Sequence, residues 1–398
     1  MIFISRKIRI YPNQEQIQTI ENTFNCCRFV WNKLLEYYNE NNEVCNYGDI
    51  VNMNPFLDKD NIELKIDRHS ISNTKDFFNK AIRKFYKQIK NKPIKLRKDG
   101  RPKGYPHFKS KKHCKNSYTN YHGKNIYIDT ISKQIKLPCL GWIKYNPREN
   151  HIPNYQIKHV TISKSKTSKY YCSILFEYED TRIGIEGRGF IVNPKDKLKV
   201  IGLDYSSSSL YIDSNGEEAQ YPKYYRNSQK RLRMLNKRLS RKKKGSHGWN
   251  ATLKKIQILY EHISNQRNNF LHKLSNVITK HYDIICVEDI DMKCISQGLK
   301  LGKSTYDNGF GMFRNMLSYK QDRIPFHLLI KANKWFPSSK TCSCCGYINK
   351  ELKISDRIYN CPQCGQSINR DLNAAINLKR YAIDEINNTY IGFRMFNL

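Results

Sequence analysis

The residues best equipped for chemistry lie between Pro337 and Leu378. Cys342 and Cys345 form one Cys-x-x-Cys-Gly knuckle, and Cys361 and Cys364 form a second. Two such knuckles supply the four soft ligands of a tetrahedral zinc site, which holds structure and leaves no position open for chemistry. Gly346 and Gly365 follow where the knuckle turn needs a residue free of Cβ strain. Cys344 is then a spare thiol, because only Cys345 shares the register of the second knuckle. A second set is acidic. Asp371 stands where a helix through Asn373–Leu378 should begin, and two short apolar strands end in acids, Val200–Asp204 and Ile284–Val287 followed by Glu288 and Asp289. An acid in a first helical turn is often only a cap. Two acids at strand ends and one at a helix start, however, are what a two-metal phosphodiesterase centre requires. If the second strand alternates, Glu288 and Asp289 point to opposite faces and only one of them can ligate.

Taken in order, Gly202-Leu203-Asp204-Tyr205, Val287-Glu288-Asp289, the two knuckles and Arg370-Asp371-x-Asn373-Ala374-Ala375-x-Asn377 closely resemble the TnpB proteins of bacterial insertion sequences. They also resemble the Fanzor proteins, their eukaryotic and viral relatives. The resemblance implies an α/β nuclease lobe of the RNase H-like (RuvC) fold with an inserted four-cysteine zinc ribbon. It also implies an N-terminal lobe of β-barrel and helical recognition segments. It selects Glu288 over Asp289 and makes Asp204, Glu288 and Asp371 the catalytic acids, holding two Mg²⁺ or Mn²⁺ ions about 3.5–4 Å apart. Hard oxygen ligands suit those ions while the thiolates keep Zn²⁺, so the two metals should not exchange. The implied activity is RNA-guided cleavage of double-stranded DNA in the service of a mobile element, with a structured guide RNA as permanent partner. Many relatives carry Asp where this chain has Asn369, which puts full activity in question. Two other readings stay open: a non-cleaving zinc-ribbon factor that binds DNA in transposition, and a protein-only resolvase of the same fold.

Composition narrows the partners. A chain of 398 residues with a formal net charge of +35 points to a polyanion. No apolar run approaches the roughly 20 residues a spanning helix needs. In MIFISRKIRIYP the basic residues follow the apolar ones, the wrong order for a signal peptide. Thirteen cysteines, an odd number with four in zinc-like spacing, fit a reducing compartment. The expected location is the bacterial nucleoid, or the nucleus or viral factory for a eukaryotic or viral source. The size of the surplus fits a protein that wraps RNA and admits a DNA strand paired to it.

These residues need positioning elements. A recognition lobe is expected over 1–180, a linker over 181–197, a first nuclease part over 198–336 with a basic helical insertion at 223–281, the ribbon over 337–368 and the remaining nuclease part over 369–398. Ile4, Ile8 and Ile10 alternate with Ser5, Lys7 and Arg9 as an edge strand. A helix carrying Ile17, Ile20 and Phe24 continues through Leu35; its Arg28 and Asn32 are either solvated or, by the resemblance, part of the surface that reads a short duplex motif. A second helix spans 72–92 with Phe77, Phe78, Ala81, Ile82, Phe85 and Ile89 on its apolar stripe. From Lys80 to Lys115 the only acid is Asp99, and cations such as Lys103 and Lys109 are interleaved with Tyr105 and Phe108, a composition suited to phosphate contact and stacking. Segments at 126–128, 135–137, 156–162 and 170–178 predict a small β-barrel.

In the second half, Lys223–Lys244 has no acid, packs through Leu232, Leu235 and Leu239, and presents Arg238 and Arg241 on its cationic faces. The next helix, 250–281, predicts an inward row of Leu253, Ile256, Tyr260, Ile263, Arg267, Phe270, Leu274 and Val277. Arg267 either snorkels from that seam or is held rigid and aimed at a phosphate or backbone oxygen. A flexible stretch over Ser296–Ser304, a helix over Phe310–Gln321 and a strand over Phe326–Ile330 lead to the ribbon. Within it, Ser355-Asp356-Arg357 predicts a turn, with Arg357 solvated or reaching the scissile phosphate.

Overall fold

The computed structural model describes residues 2–44, 65–90, 96–97, 100, 102–111, 115–148, 152–178, 198–298, 302–324, 327–353 and 355–389. The expected linker at 181–197, Asp99 and the tail from 390 lie outside them. The chain divides into two compact units, residues 1–181 and 182–398.

In the first unit, strand β1 (Ile2–Tyr11) buries Ile8 and Ile10 and exposes Lys7, as its alternation requires. It pairs over Ile2–Ile10 with β7 (Tyr170–Tyr178), and through Ile10 and Tyr11 with β5 (Gly141–Tyr145). It is therefore an interior strand and not the expected edge. Its polar row is the wet face of an antiparallel sheet buried on one side. With β2 (Asn116–Asn120), β3 (Tyr127–Asp129), β4 (Gln134–Leu137) and β6 (Gln156–Lys164), the seven strands run in the order β2-β6-β7-β1-β5-β4-β3. Among the described residues the end strands β2 and β3 do not pair with each other, so in its hydrogen bonds the expected barrel is an open sheet.

Helix α1 (Gln14–Asn41) starts at a capping box in which Asn13 and Gln16 bond reciprocally. Helix α2 (Arg68–Ile89) starts at Asp67, whose buried carboxylate accepts from Ser70 and Asn120. Both helices join the core of the sheet, with Trp31 and Phe78 edge to face at 5.4 Å. Phe77, expected in the stripe of α2, is instead 39% exposed.

The second unit is built on a four-stranded sheet in the order β11-β10-β8-β9. Strand β8 (Val200–Tyr205) runs parallel to β10 (Ile284–Glu288) and antiparallel to β9 (Tyr211–Asp213), and β10 runs parallel to β11 (Leu328–Ala332). Continuous burial along β8 and β10 explains why both read as unbroken apolar runs.

Helices α3 (Tyr224–Ser240) and α4 (His247–His281) pack through Leu232, Leu235, Ile256, Leu259 and Ile263. Further along, α4 turns Leu271 and Ile278 to the same core as Phe313 and Leu317 of a later helix, Phe310–Gln321. Serving two partners in succession shifts the buried row. Tyr260 and Val277, expected inside, are 47% and 54% exposed. Of the stretch expected to be flexible, Ser296–Ser304, residues 299–301 lie outside the described residues; its two ends belong to short helices, α5 (Met292–Gly298) and α6 (Gly302–Asn308), before α7, the helix Phe310–Gln321. The hairpin of β12 (Ile358–Asn360) and β13 (Ser367–Asn369) then leads into α8 (Arg370–Thr389). Helix α8 lies directly on β8, where a Cβ at Gly202 would stand 2.1 Å from the Ala375 carbonyl oxygen. Only glycine permits that approach, and it brings the start of α8 to the end of β8.

Candidate metal centres and nucleic-acid contacts

The two knuckles are built alike. Cys342 N–H donates to Tyr347 O at 2.8 Å and Cys361 N–H to Gln366 O at 2.9 Å. Gly346 and Gly365 each donate at 3.0 Å to the carbonyl of the first cysteine of their knuckle, with φ of +78° and +73°. The Sγ atoms of Cys342, Cys345, Cys361 and Cys364 lie within 4.8 Å of one another, the one such group of metal-ligating side chains among the described residues. Four soft donors gathered on two rigid turns fit zinc. Cys344 is exposed and outside the group.

Each acid comes from a different element. Asp204 lies near the end of β8 and is 6% exposed, Glu288 ends β10, and Asp371 occupies the first turn of α8. Burial first, and then the charges of Glu288 and Asp371, push the Asp204 carboxyl well above its ordinary range, against the pull of the Arg370 guanidinium. Glu288 is likewise raised by burial and by Asp371, opposed by a hydrogen bond from Ser338 Oγ. Arg370 grips Asp371 Oδ1 through Nε at 3.2 Å and Nη2 at 3.1 Å. Asp204 and Glu288, whose ionisation burial and a neighbouring carboxylate oppose, form with Asp371 a donor set that a hard divalent cation would neutralise. Asp289 is 53% exposed at its side chain and faces Arg314 at 3.5 Å.

Asn369 accepts the N–H groups of Asp371 at 2.9 Å and Leu372 at 3.1 Å. It caps α8, a task that Asn performs about as well as Asp. Four participants were given no role by the sequence reading: Ser338, and Arg370, Asn373 and Asn377 of the quoted motif. The last two carried a usable signal, since polar side chains one turn apart and both buried must be satisfied from inside.

The expected nucleic-acid contacts separate into internal and exposed groups. Asn32 Nδ2 donates to Lys109 O at 3.0 Å and its Oδ1 accepts from Lys109 N–H at 2.7 Å, so Asn32 ties down the basic ribbon. The Lys109 ammonium stands 3.4 Å from the centre of the Trp31 ring. Arg28 bonds Asn25 and, at 3.4 Å, Asn116, and with Lys109 and Lys115 lines a cavity of about 390 Å³. Lys103, Arg238 and Arg241 are exposed, and so is Arg357, beside the Asp356 turn that caps Lys353 N–H at 2.9 Å. Arg267 points inward: its Nε donates to the Asp307 carbonyl at 2.8 Å and its Nη2 pairs with the Asp307 carboxylate at 3.6 Å. Asp307 in turn accepts from the N–H groups of Tyr225 at 2.9 Å and Arg226 at 3.2 Å, capping α3 from outside. Arg267 is thus aimed at a backbone oxygen and a buried acid.

Residues 173–297 match the family model described as "Probable transposase", and 310–378 match "Cas12f1-like, TNB domain". Residues 1–43 match "Helix-turn-helix domain", although here they form β1 and one unbroken helix, α1. A Streptomyces pristinaespiralis protein named "Putative RNA-guided DNA endonuclease" is 28% identical over 381 residues, 94% of this chain and 87% of that protein. "TnpB-like protein L770" of Acanthamoeba polyphaga mimivirus is 25% identical over 418 residues, 96% and 74% respectively. A cryo-EM structure of a Cas12f1–sgRNA–target DNA complex aligns over 95% of this chain and 98% of that one, with a TM-score of 0.52 and 15% identity, which is a likeness of fold. Among the described residues no helix is long and apolar enough to cross a membrane.

Proposed function

We propose that this chain, a TnpB-like protein, is a metal-dependent DNA endonuclease that takes its choice of sequence from a guide RNA and serves a mobile element. The observation that carries the reading is the joint placement of Asp204, Glu288 and Asp371: three carboxylates from distant stretches come together where β8, β10 and α8 meet, close enough that Asp371 raises the proton affinity of both Asp204 and Glu288. These acids would hold Mg²⁺ or Mn²⁺, which on binding would activate a water for attack on a phosphodiester and steady the leaving 3′ oxygen. Ser338 orients Glu288 and Arg370 orients Asp371, while the four cysteines hold zinc apart from the chemistry. The net charge of +35 and the exposed cations of α3 supply phosphate contacts, and base pairing with the guide supplies specificity.

The test is cleavage with and without the transcript that flanks the gene. With it, the protein should cut double-stranded DNA at guide-matched sites, only with Mg²⁺ or Mn²⁺. Asp371→Ala should keep zinc and RNA yet lose cutting by at least about a thousandfold, since several kcal/mol of charge stabilisation disappears. Efficient, specific cutting by RNA-free protein would overturn guidance and favour a resolvase. Equal inactivity of wild type and Asp371→Ala would favour a non-cleaving factor.

A further inference from the structure

We infer that the zinc ribbon is a strut of the acid centre: closure of the four-cysteine site sets where Glu288 and Asp371 stand, through Ser338, Asn373 and Asn377. The inference rests on the acid-centre reading above and concerns what holds those acids in place.

Each of the two acids is tied to a different knuckle. On the first side, Ser338 Oγ donates to Glu288 Oε1. Three residues on, the Thr341 carbonyl, adjacent to Cys342, accepts from Asn373 Nδ2 at 2.7 Å and Asn377 Nδ2 at 2.6 Å. Asn377 Nδ2 also donates to Ser338 O at 2.8 Å, and Ser343 N–H donates to Asn373 Oδ1 at 2.8 Å. The backbone from Ser338 to Ser343 is thereby bolted to one face of α8, the helix that begins with Asp371. On the second side, the knuckle of Cys361 and Cys364 runs through β13 directly into that helix, where Asn369 caps Asp371. The path from Glu288 through Ser338, the four sulfurs, β13 and Asn369 to Asp371 is closed, and a zinc ion would join its halves.

Burial gives the bolts their stiffness. Asn373, Asn377, Ser338 and Ser343 are 0%, 3%, 3% and 4% exposed. A buried amide that loses its partner is left unsatisfied, so these bonds resist sliding in a way that an apolar contact does not. Carboxylates that repel one another need such restraint. Loss of a residue that orients a metal ligand typically weakens metal binding about 10–100-fold.

The test reads the ion at the acids without relying on DNA cleavage. Fe²⁺ substituted for Mg²⁺, with ascorbate in air, cuts the polypeptide beside the bound ion, and the fragments are quantified on the full chain with its retained RNA. Wild type should give fragments that Asp371→Ala lacks. Ser338→Ala and Asn377→Ala should each need about tenfold more Fe²⁺ for the same yield while keeping their zinc. Ser338→Thr, which restores the donor, should recover most of the loss. Chelating zinc from wild type should reproduce the defect, and returning zinc should reverse it. Wild-type fragment yields from Ser338→Ala and from zinc-stripped protein would overturn the strut even if Asn377→Ala fails to fold. Identical fragments from wild type and Asp371→Ala would instead sink the acid centre itself, and the strut with it.

Discussion

The four cysteines bring their sulfurs within 4.8 Å of one another, whereas the three acids meet from two strands and a helix without gathering to that degree. Each knuckle is completed within a few residues by a left-handed glycine and two backbone hydrogen bonds. The acids depend on long-range packing: the parallel register of β8 with β10, and the bare Cα of Gly202 that lets α8 approach. A soft, closed site can be written into a local motif. A hard site made of like charges has to be imposed by the fold, against its own repulsion.

The strongest way to break that comparison is at the zinc. Cys361→Ser should release the ion and lower the melting temperature by roughly 5–10 °C, because a structural thiolate site contributes folding energy. Cys344→Ser should change neither quantity. Equal zinc loss from both variants, measured by atomic absorption, would contradict the register of the first knuckle.

The contrast between local and imposed order recurs among the cations. Arg267 is fixed by Asp307, whose side chain is 3% exposed and also caps α3, whereas Arg241 is solvated at the end of that helix. Arg267→Met should cost about 2–4 kcal/mol by leaving a buried acid unpaired. Arg241→Ala should stay within about 0.5 kcal/mol and mainly lower the salt dependence of RNA binding. Urea unfolding decides the matter. Equal costs for the two variants would remove Asp307 as the anchor.

A smaller effect should appear with pH. Asp204 and Glu288 have folded carboxyl pKa values above their ordinary ones. Their contribution to stability is therefore fully present below the unfolded pKa and is lost as pH rises through the folded one. In Mg²⁺-free buffer the melting temperature should decline as pH is raised from about 4 toward neutrality, and Mg²⁺ should restore it increasingly at higher pH as it displaces protons. Asp371→Ala should flatten that decline. A profile equally steep in both proteins would mean that Asp371 does not act on Asp204 and Glu288.

The same division explains what the sequence disclosed. The cysteine spacing, the strand ends at Asp204 and Glu288 and the apolar spacing of Ile17, Ile20 and Phe24 in α1 are local signals, and each was legible. The interior place of β1 depends on partners at Tyr170–Tyr178, and the shifted buried row of α4 depends on two successive neighbours. Neither is encoded near the residues concerned. The helices at Met292–Gly298 and Gly302–Asn308 take in both ends of a stretch whose glycines and serines suggested flexibility. Ser338 was invisible for a different reason: nothing beside it in the chain announces that a glutamate fifty positions away will accept its hydrogen bond.

Asn369 tests the finest grain of this argument. By the resemblance in sequence, an asparagine there puts full activity in question. In the structure its Oδ1 accepts two N–H groups at the start of α8, and an amide oxygen serves that purpose nearly as well as a carboxylate. Asn369→Asp would keep the cap and gain from the helix dipole, yet add a negative charge two residues from an acid that already raises its neighbours. The two terms oppose each other at a site that is exposed to solvent and screened. Stability should therefore move by less than about 0.5 kcal/mol and cleavage by less than about threefold. Asn369→Ala, by contrast, should cost about 1 kcal/mol, because the N–H groups of Asp371 and Leu372 lose their acceptor. A large gain in cleavage for Asn369→Asp, with stability unchanged, would show that the position supplies charge to the acid centre, and the cap would then be incidental to its role.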